Sequence, residues 1–133
     1  MGKMQIVHAR THTTLFPLLR RLSDGRFHSG QALAHEFNLS RSSIFNALAQ
    51  AESMGLRIHA VRGRGYRLPA PIEWLDGEVV ARHLGTVSGA YTIRILDSVD
   101  STNTALMSAA LKGAADGTLF CSEHQHAGKG RRG

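Results

Sequence analysis

Gly128-Lys129-Gly130-Arg131-Arg132-Gly133 sets three glycines among three cations in six consecutive residues. Glycine lets a backbone approach an anion closely and turn its N–H groups toward it, and the cations add charge. The chemistry this run suits is the holding of a phosphate or an adenylate. Its spacing, Gly128-x-Gly130-x-x-Gly133, formally matches the dinucleotide fingerprint and follows a predicted strand. The helix, second strand and ribose-binding carboxylate that complete that fingerprint do not follow. Just upstream, His124-Gln125-His126 places two histidines on one face of an extended segment. With no cysteine or third ligand beside them, solvent-exposed histidines are expected and no metal site. Asp97 and Asp100 are a possible acidic pair, but turn formation and helix capping account for both.

The elements that must position these residues are legible upstream. Ile72, Trp74 and Leu75 lead to Asp76, which caps a helix over 78–84 ended by Gly85. The acidic first turn and Arg82-His83 near the end agree with the helix dipole. Tyr91, Ile93 and Ile95 alternate with Thr92, Arg94 and Leu96 as a strand, and Asp97-Ser98-Val99-Asp100 reads as a polar turn. Ser101 or Asp100 then caps a helix with Ala105, Leu106, Ala109 and Ala110 inward, closed by Gly113. Residues 118–122 form a second strand that runs into the glycine loop. Strand, helix, strand and loop predict the start of an α/β or α+β domain over 76–133.

A different unit precedes it. Leu15, Phe16, Leu18, Leu19 and Leu22 give a short helix with one apolar face, ended at Asp24-Gly25. Ser29 caps a second helix with Leu33, Ala34 and Phe37 inward; Asn38 takes a left-handed turn, and Ser40 caps a third. In that third helix Ile44, Ala47, Leu48, Ala51 and Met54 make a stripe, and Gly55 ends it. Two helices joined by Asn38-Leu39-Ser40 are the helix-turn-helix pattern. Opposite the stripe stand Ser42, Asn46, Ala49 and Ser53, flanked by Arg41, Ser43 and Phe45. Small polar residues and one cation at a helix N-terminus suit the major groove, where Asn46 can pair with adenine. Leu56, Ile58 and Ala60, a turn at Gly63 and Gly65, and Tyr66 and Leu68 form a hairpin, with Arg62, Arg64 and Arg67 at or near its tip. A basic hairpin after a recognition helix is a wing. Residues 14–68 are therefore expected to be a winged helix-turn-helix that binds DNA, residues 1–13 a flexible tail, and 69–75, with Pro69-Ala70-Pro71, a stiff linker.

Charge divides the chain the same way. Residues 1–68 hold ten Lys/Arg against three Asp/Glu, residues 69–128 three against seven, and the last five residues add three cations. A polyanion is the expected partner of the first segment. Of the 133 residues 42% are apolar and 20% charged, and no apolar run nears the roughly 18–20 residues of a membrane span. The start lacks the apolar stretch of a secretory signal. Cys121 is the only cysteine, so no intrachain disulfide forms and a cytoplasmic location is expected.

A winged helix, a proline linker, Asp97-Ser98-Val99-Asp100-Ser101-Thr102-Asn103 after a strand, and Glu123-His124-Gln125-His126-Ala127 leading into the glycine loop occur in that order. From about Leu15 to the last residue this resembles the bifunctional biotin–protein ligase/biotin operon repressor family. The resemblance implies an α+β architecture, a winged helix followed by the start of a class II synthetase-like catalytic domain. It implies condensation of biotin with ATP, accompanied by Mg2+, to biotinyl-5′-adenylate, and transfer of biotin to a lysine of the biotin carboxyl carrier protein of acetyl-CoA carboxylase. Ser101 and Thr102 would hydrogen-bond the biotin ureido group, Asn103 would shape the pocket, and Gln125 would hold biotin from the other side. Gly128, Lys129, Gly130, Arg131, Arg132 and Gly133 would form the adenylate loop, with Lys129 and Arg131 stabilising charge at the α-phosphate. Operator DNA and a ligand-promoted homodimer are the other implied partners; a protein-ligated metal and a membrane are not.

Two departures stand out. Lys129 occupies a place where the family commonly shows arginine, and lysine lacks the bidentate fork. The family's lysine-bearing strand, most of its sheet and its C-terminal domain have no counterpart before Gly133, so residues 1–133 alone are expected to be inactive as a ligase. A standalone winged-helix regulator with a non-catalytic sensing or dimerisation remnant is the alternative, and a lipoate-type ligase a third, poorly matched by a wing of this kind.

Overall fold

The computed structural model describes residues 2–9 and 13–130. In chain order the elements are β1 (Gln5–Ala9), α1 (Leu15–Leu22), α2 (Gly30–Glu36), α3 (Arg41–Ser53), β2 (His59–Val61), β3 (Gly65–Arg67), α4 (Gly77–Leu84), a 3-10 segment (Gly85–Ala90), β4 (Thr92–Val99), α5 (Thr102–Leu111) and β5 (Thr118–Gln125). They divide into two units, one of residues 13–73 and one of residues 2–9 with 74–130.

The first unit is a three-helix cluster with a hairpin. Leu15, Leu18, Leu19, Leu22, Leu33 and Ile44 are at most 2% exposed. Each fully buried side chain of this size contributes up to about 1.5–3 kcal/mol. Local chemistry sets the helix ends. Ser29 Oγ accepts the Ala32 N–H at 3.0 Å and Ser40 Oγ the Ser43 N–H at 3.1 Å, closing the N-termini of α2 and α3. Asn38 has φ 53°, and the Leu39 N–H reaches back to the Ala34 carbonyl at 2.8 Å, which makes the turn between the helices. Gly55 repeats this at the end of α3, where the Leu56 N–H bonds the Ala51 carbonyl at 3.1 Å.

That bond corrects the expected strand from Leu56. Its amide is committed to the helix end, so β2 begins only at His59 and pairs antiparallel with β3, His59 opposite Arg67 and Val61 opposite Gly65. Arg67 is thus at the base of the hairpin, not its tip. A third segment, missed in the sequence, joins the wing: His28 and Tyr66 exchange backbone hydrogen bonds of 2.9 and 2.8 Å.

The second unit is a parallel sheet in the order β1-β4-β5. Met4, Ile93 and Ile95 are its buried centre, with Ile6, Val80, Ala81, Leu84, Leu119 and Cys121 packed around them. Burial pushes the Cys121 thiol above its ordinary range. The flexible tail expected over residues 1–13 gives way at Gln5–Ala9 to a strand in register with β4, Gln5 opposite Thr92 and Ala9 opposite Leu96. The turn expected at residues 97–100 is likewise displaced. Asp97, Ser98 and Val99 continue β4, with Ser98 opposite His124 and Val99 opposite Gln125, and Asp97 is buried on the inner face. β5 correspondingly runs to Gln125, three residues beyond its expected end.

In α5, Ala105, Leu106 and Ala109 are half-buried as expected, but Ala110 is exposed. At 100° per residue it stands about 90° from the mean direction of the other three. Among the described residues no helix is long and apolar enough to cross a membrane.

Candidate functional site

In the winged unit, the stripe of α3 turns Ile44, Ala47, Leu48 and Ala51 into the core. The opposite face is open: Arg41, Ser42, Ser43, Phe45 and Asn46 are all exposed, Phe45 by 60%. Ser40 Oγ lies 2.9 Å from Ser42 Oγ and 2.8 Å from Ser43 Oγ, so three hydroxyls share one helix N-terminus. Arg62 and Arg64 are exposed on the turn between β2 and β3, where the Arg64 N–H closes onto the Val61 carbonyl at 3.0 Å. A groove of about 470 Å3 runs between the start of α3 and the wing, lined by Gln31, Arg41, Arg62, Arg64 and Tyr66 among others. It thus gathers three of the cations singled out in the sequence, with no acidic residue in its lining.

What sequence reasoning missed here is the support of the wing. Phe27 lies under Arg64 and Arg67, whose guanidinium carbons are 4.3 and 5.0 Å from its ring centroid. His28 ties the same stretch to α1 and α2. Its Nε2 is 3.0 Å from the Asp24 carboxylate, which also accepts from Arg21 at 2.9 Å, and the Arg21 Nε–H donates to Glu36 at 2.8 Å. The His28 contact foremost, and then the Arg26 backbone N–H, hold the Asp24 carboxyl down at about 2. The alternation of Phe27 with His28 is too short to announce a strand.

In the second unit, parallel pairing brings the C-terminal ends of β4 and β5 together beside the N-terminus of α5. Crevices at such strand ends and helix N-termini are where α/β sheets take ligands. Ser101 caps α5, its Oγ 3.4 Å from the Thr104 N–H. Gln125 Oε1 accepts from both the backbone N–H of Thr102, at 2.8 Å, and its hydroxyl, at 3.0 Å. The four residues Ser101, Thr102, Asn103 and Gln125 therefore meet at one corner, although Asn103 turns its amide to Met107 Sδ at 3.6 Å. The Gln125 oxygen is occupied by Thr102, which leaves its amide hydrogens as donors.

Beyond Gln125 the ladder runs on, with the His126 N–H on the Val99 carbonyl at 3.1 Å and the Ala127 N–H on the Asp100 carbonyl at 2.8 Å. Gly128, Lys129 and Gly130 follow, exposed, and Gly128 lies against the Gln125 side chain. Arg131, Arg132 and Gly133 lie outside the described residues. The His124 and His126 rings stack with centroids 6.4 Å apart. Asp97 and Asp100 have separate surroundings: the first is buried in β4, the second accepts the Ser101 N–H at 2.8 Å.

Comparison with known proteins supports the helix-turn-helix of the first unit. A family model described as an HTH domain matches residues 14–67. The bifunctional ligase/repressor BirA of Salmonella typhimurium is 33% identical over 121 residues, 91% of this chain and 36% of the relative. That of Escherichia coli K12 is 32% identical over 124 residues, 93% of this chain and 37% of the relative. The Bacillus subtilis protein of the same name is 30% identical over 106 residues, 79% of this chain and 32% of the relative. The chain is similar to the N-terminal portion of the bifunctional ligase/repressors. It spans about a third of their length, and the similarity to the two enterobacterial ligase/repressors takes in most of both units.

Proposed function

We propose that this chain is the DNA-binding portion and first pocket wall of a biotin–protein ligase that also acts as a biotin-responsive repressor. The observation that carries the reading is the coexistence, in one ligase/repressor-like chain, of a cation-lined winged helix and a Thr102–Gln125 corner opening onto a glycine loop. In this reading α3 enters a major groove of operator DNA, with Asn46, Ser42 and Ser43 toward base edges or phosphates and Phe45 beside them. Arg41, Arg62 and Arg64 take phosphates.

At the corner, the hydroxyl of Ser101, the Thr102 side chain and the Gln125 amide hydrogens supply polar contacts for the biotin ureido group, and Asn103 shapes the wall. The loop from Gly128 to Gly133 receives the adenylate. A biotin carboxylate oxygen attacks the α-phosphorus of ATP, whose magnesium-bound pyrophosphate leaves. Lys129 and Arg131 balance the negative charge that builds in that step. The carrier protein's lysine then attacks the acyl carbon and AMP departs. Cytoplasmic location and a ligand-promoted dimer belong to the same reading.

Two assays on residues 1–133 test it. Anisotropy of a labelled biotin-operator duplex should rise on titration with the chain and reverse with salt; no rise above the protein-free duplex would remove the repressor half. Incubation with biotin and radiolabelled ATP should yield no biotinyl-5′-adenylate, because β4, α5 and β5 supply only part of a pocket. Formation of the adenylate would overturn that assignment of the walls.

A further inference from the structure

Phe27 belongs to neither a helix nor the hairpin, yet it carries two of the wing's three guanidinium groups. Arg64 Cζ is 4.3 Å and Arg67 Cζ 5.0 Å from its ring centroid. The ring's place is fixed by its neighbour, since His28 is bound to Tyr66 through both backbone groups and to Asp24 through its side chain. Arg67 Nε is buried without a hydrogen-bond partner, and that guanidinium packs on the ring. The ion pairs of Arg21 with Asp24 and Glu36, and of His28 with Asp24, leave Arg64 and Arg67 un-neutralised. Two uncompensated cations gathered on one ring repel each other, and an anion relieves that repulsion. Arg64 also lines the groove that Arg41 and Arg62 share.

We infer that Phe27 is a positioning residue for binding of the DNA phosphate backbone: its ring holds Arg64 and Arg67 in place, so that the wing meets phosphate already ordered. The inference rests on the DNA-binding reading above and adds a residue from outside the helix-turn-helix and hairpin to it. A long side chain immobilised before association loses less freedom on binding. Cation–π attraction supplies that immobilisation without consuming the positive charge, as a carboxylate partner would. Because the contact is with phosphate, its effect is the same on any sequence.

The test is anisotropy of a labelled mixed-sequence duplex with the full 133-residue chain at about 50 mM salt. Phe27→Leu should weaken binding about two- to five-fold, and Phe27→Tyr, which keeps a ring face, should bind as the unsubstituted chain does. In a chain carrying Arg64→Ala and Arg67→Ala, Phe27→Leu should cause no further loss. An equal loss in both backgrounds, or no loss in either, overturns the inference. In the unsubstituted chain, ring-current shifts on the Arg64 and Arg67 side-chain protons should be present and should vanish in Phe27→Leu. Their absence at the start overturns the inference even if that variant does not fold. Failure of the unsubstituted chain to bind any duplex overturns the DNA-binding reading itself, an outcome distinct from binding that ignores Phe27.

Discussion

Gly65 lies directly against the backbone of His28, so close that a Cβ at Gly65 would overlap the His28 carbonyl and stand 2.7 Å from Ser29 Cα. Its φ of 100° is also one that side-chain-bearing residues rarely adopt. Gly63, two residues away at φ 79°, has open space around it. Gly65→Ala should therefore cost about 2 kcal/mol or more in urea unfolding, and Gly63→Ala only the local strain of about 1 kcal/mol. Equal effects would mean that the His28–Tyr66 bridge does not constrain the wing.

The wing and the recognition helix should fail differently. Arg62 and Arg64 are cast as phosphate contacts, so Arg62→Ala with Arg64→Ala should weaken binding to any duplex and reduce the slope of log affinity against log salt by about 1.8. Asn46→Ala or Ser42→Ala should leave the slope alone and relax sequence preference, at about 1–3 kcal/mol for a lost base pairing by Asn46. Competition between operator and random duplex across a salt series separates the two. If both sets of variants only lower thermal stability, α3 presents the wrong face.

Asp24 should make the winged unit acid-sensitive in a defined window. Its carboxyl is held at about 2, below the ordinary carboxylate value of 3.8, principally by the His28 hydrogen bond. A depressed carboxyl pKa adds stability that is fully present above the ordinary value and lost as pH falls through the lowered one. The chain should then exceed Asp24→Asn in stability above about pH 4 and converge with it toward pH 2. Asp24 is exposed, so added salt should narrow the gap. A gap that persists unchanged at pH 2 would assign the effect to the hydrogen bonds of the side chain and not to its charge.

The winged unit was legible because its signals are local. Ser29, Asn38, Ser40 and Gly55 mark boundaries through their own φ or their own hydroxyl, and the buried leucines of α1 repeat at the helical period. The second unit depends on pairing between distant residues. Gln5–Ala9 has one half-buried residue among exposed ones and becomes a strand only because β4, some ninety residues on, offers it an edge. Asp97-Ser98-Val99 has turn composition but is captured by the ladder with β5. Phe27 escaped notice because what it supports, Arg64 and Arg67, is nearly forty residues further along. The Thr102–Gln125 corner came from motif resemblance; its hydrogen bonds could not be read from spacing.

That corner has two bonds of unequal dispensability. Thr102→Val removes the hydroxyl donor to Gln125 but keeps the backbone one, and should cost about 0.5–1 kcal/mol. Gln125→Ala removes the acceptor of both and should speed amide exchange at His126 and Ala127, whose N–H groups close the ends of β4 and β5. If exchange there is unchanged, the side-chain link does not brace the start of the glycine loop.

Deleting residues 1–9 should expose what β1 protects. The strand covers one edge of β4 along five paired residues, and it and the residue before it contribute Ile6 and Met4 to the core around Ile93 and Ile95. Removing it deprives that core of a buried and a half-buried side chain and leaves a row of unpaired N–H and C=O groups on β4. A bare, apolar strand edge recruits another strand. The shortened chain should therefore self-associate on gel filtration at concentrations where the intact chain does not, and its sheet should lose hydrogen-exchange protection. The core of residues 13–73 contains none of the deleted side chains, so α1, α2 and α3 should keep their protection and the duplex affinity should be preserved. A shortened chain that stays monomeric with β4 fully protected would mean that β1 adds nothing to the sheet; loss of protection in the helices would mean that the two units do not fold independently.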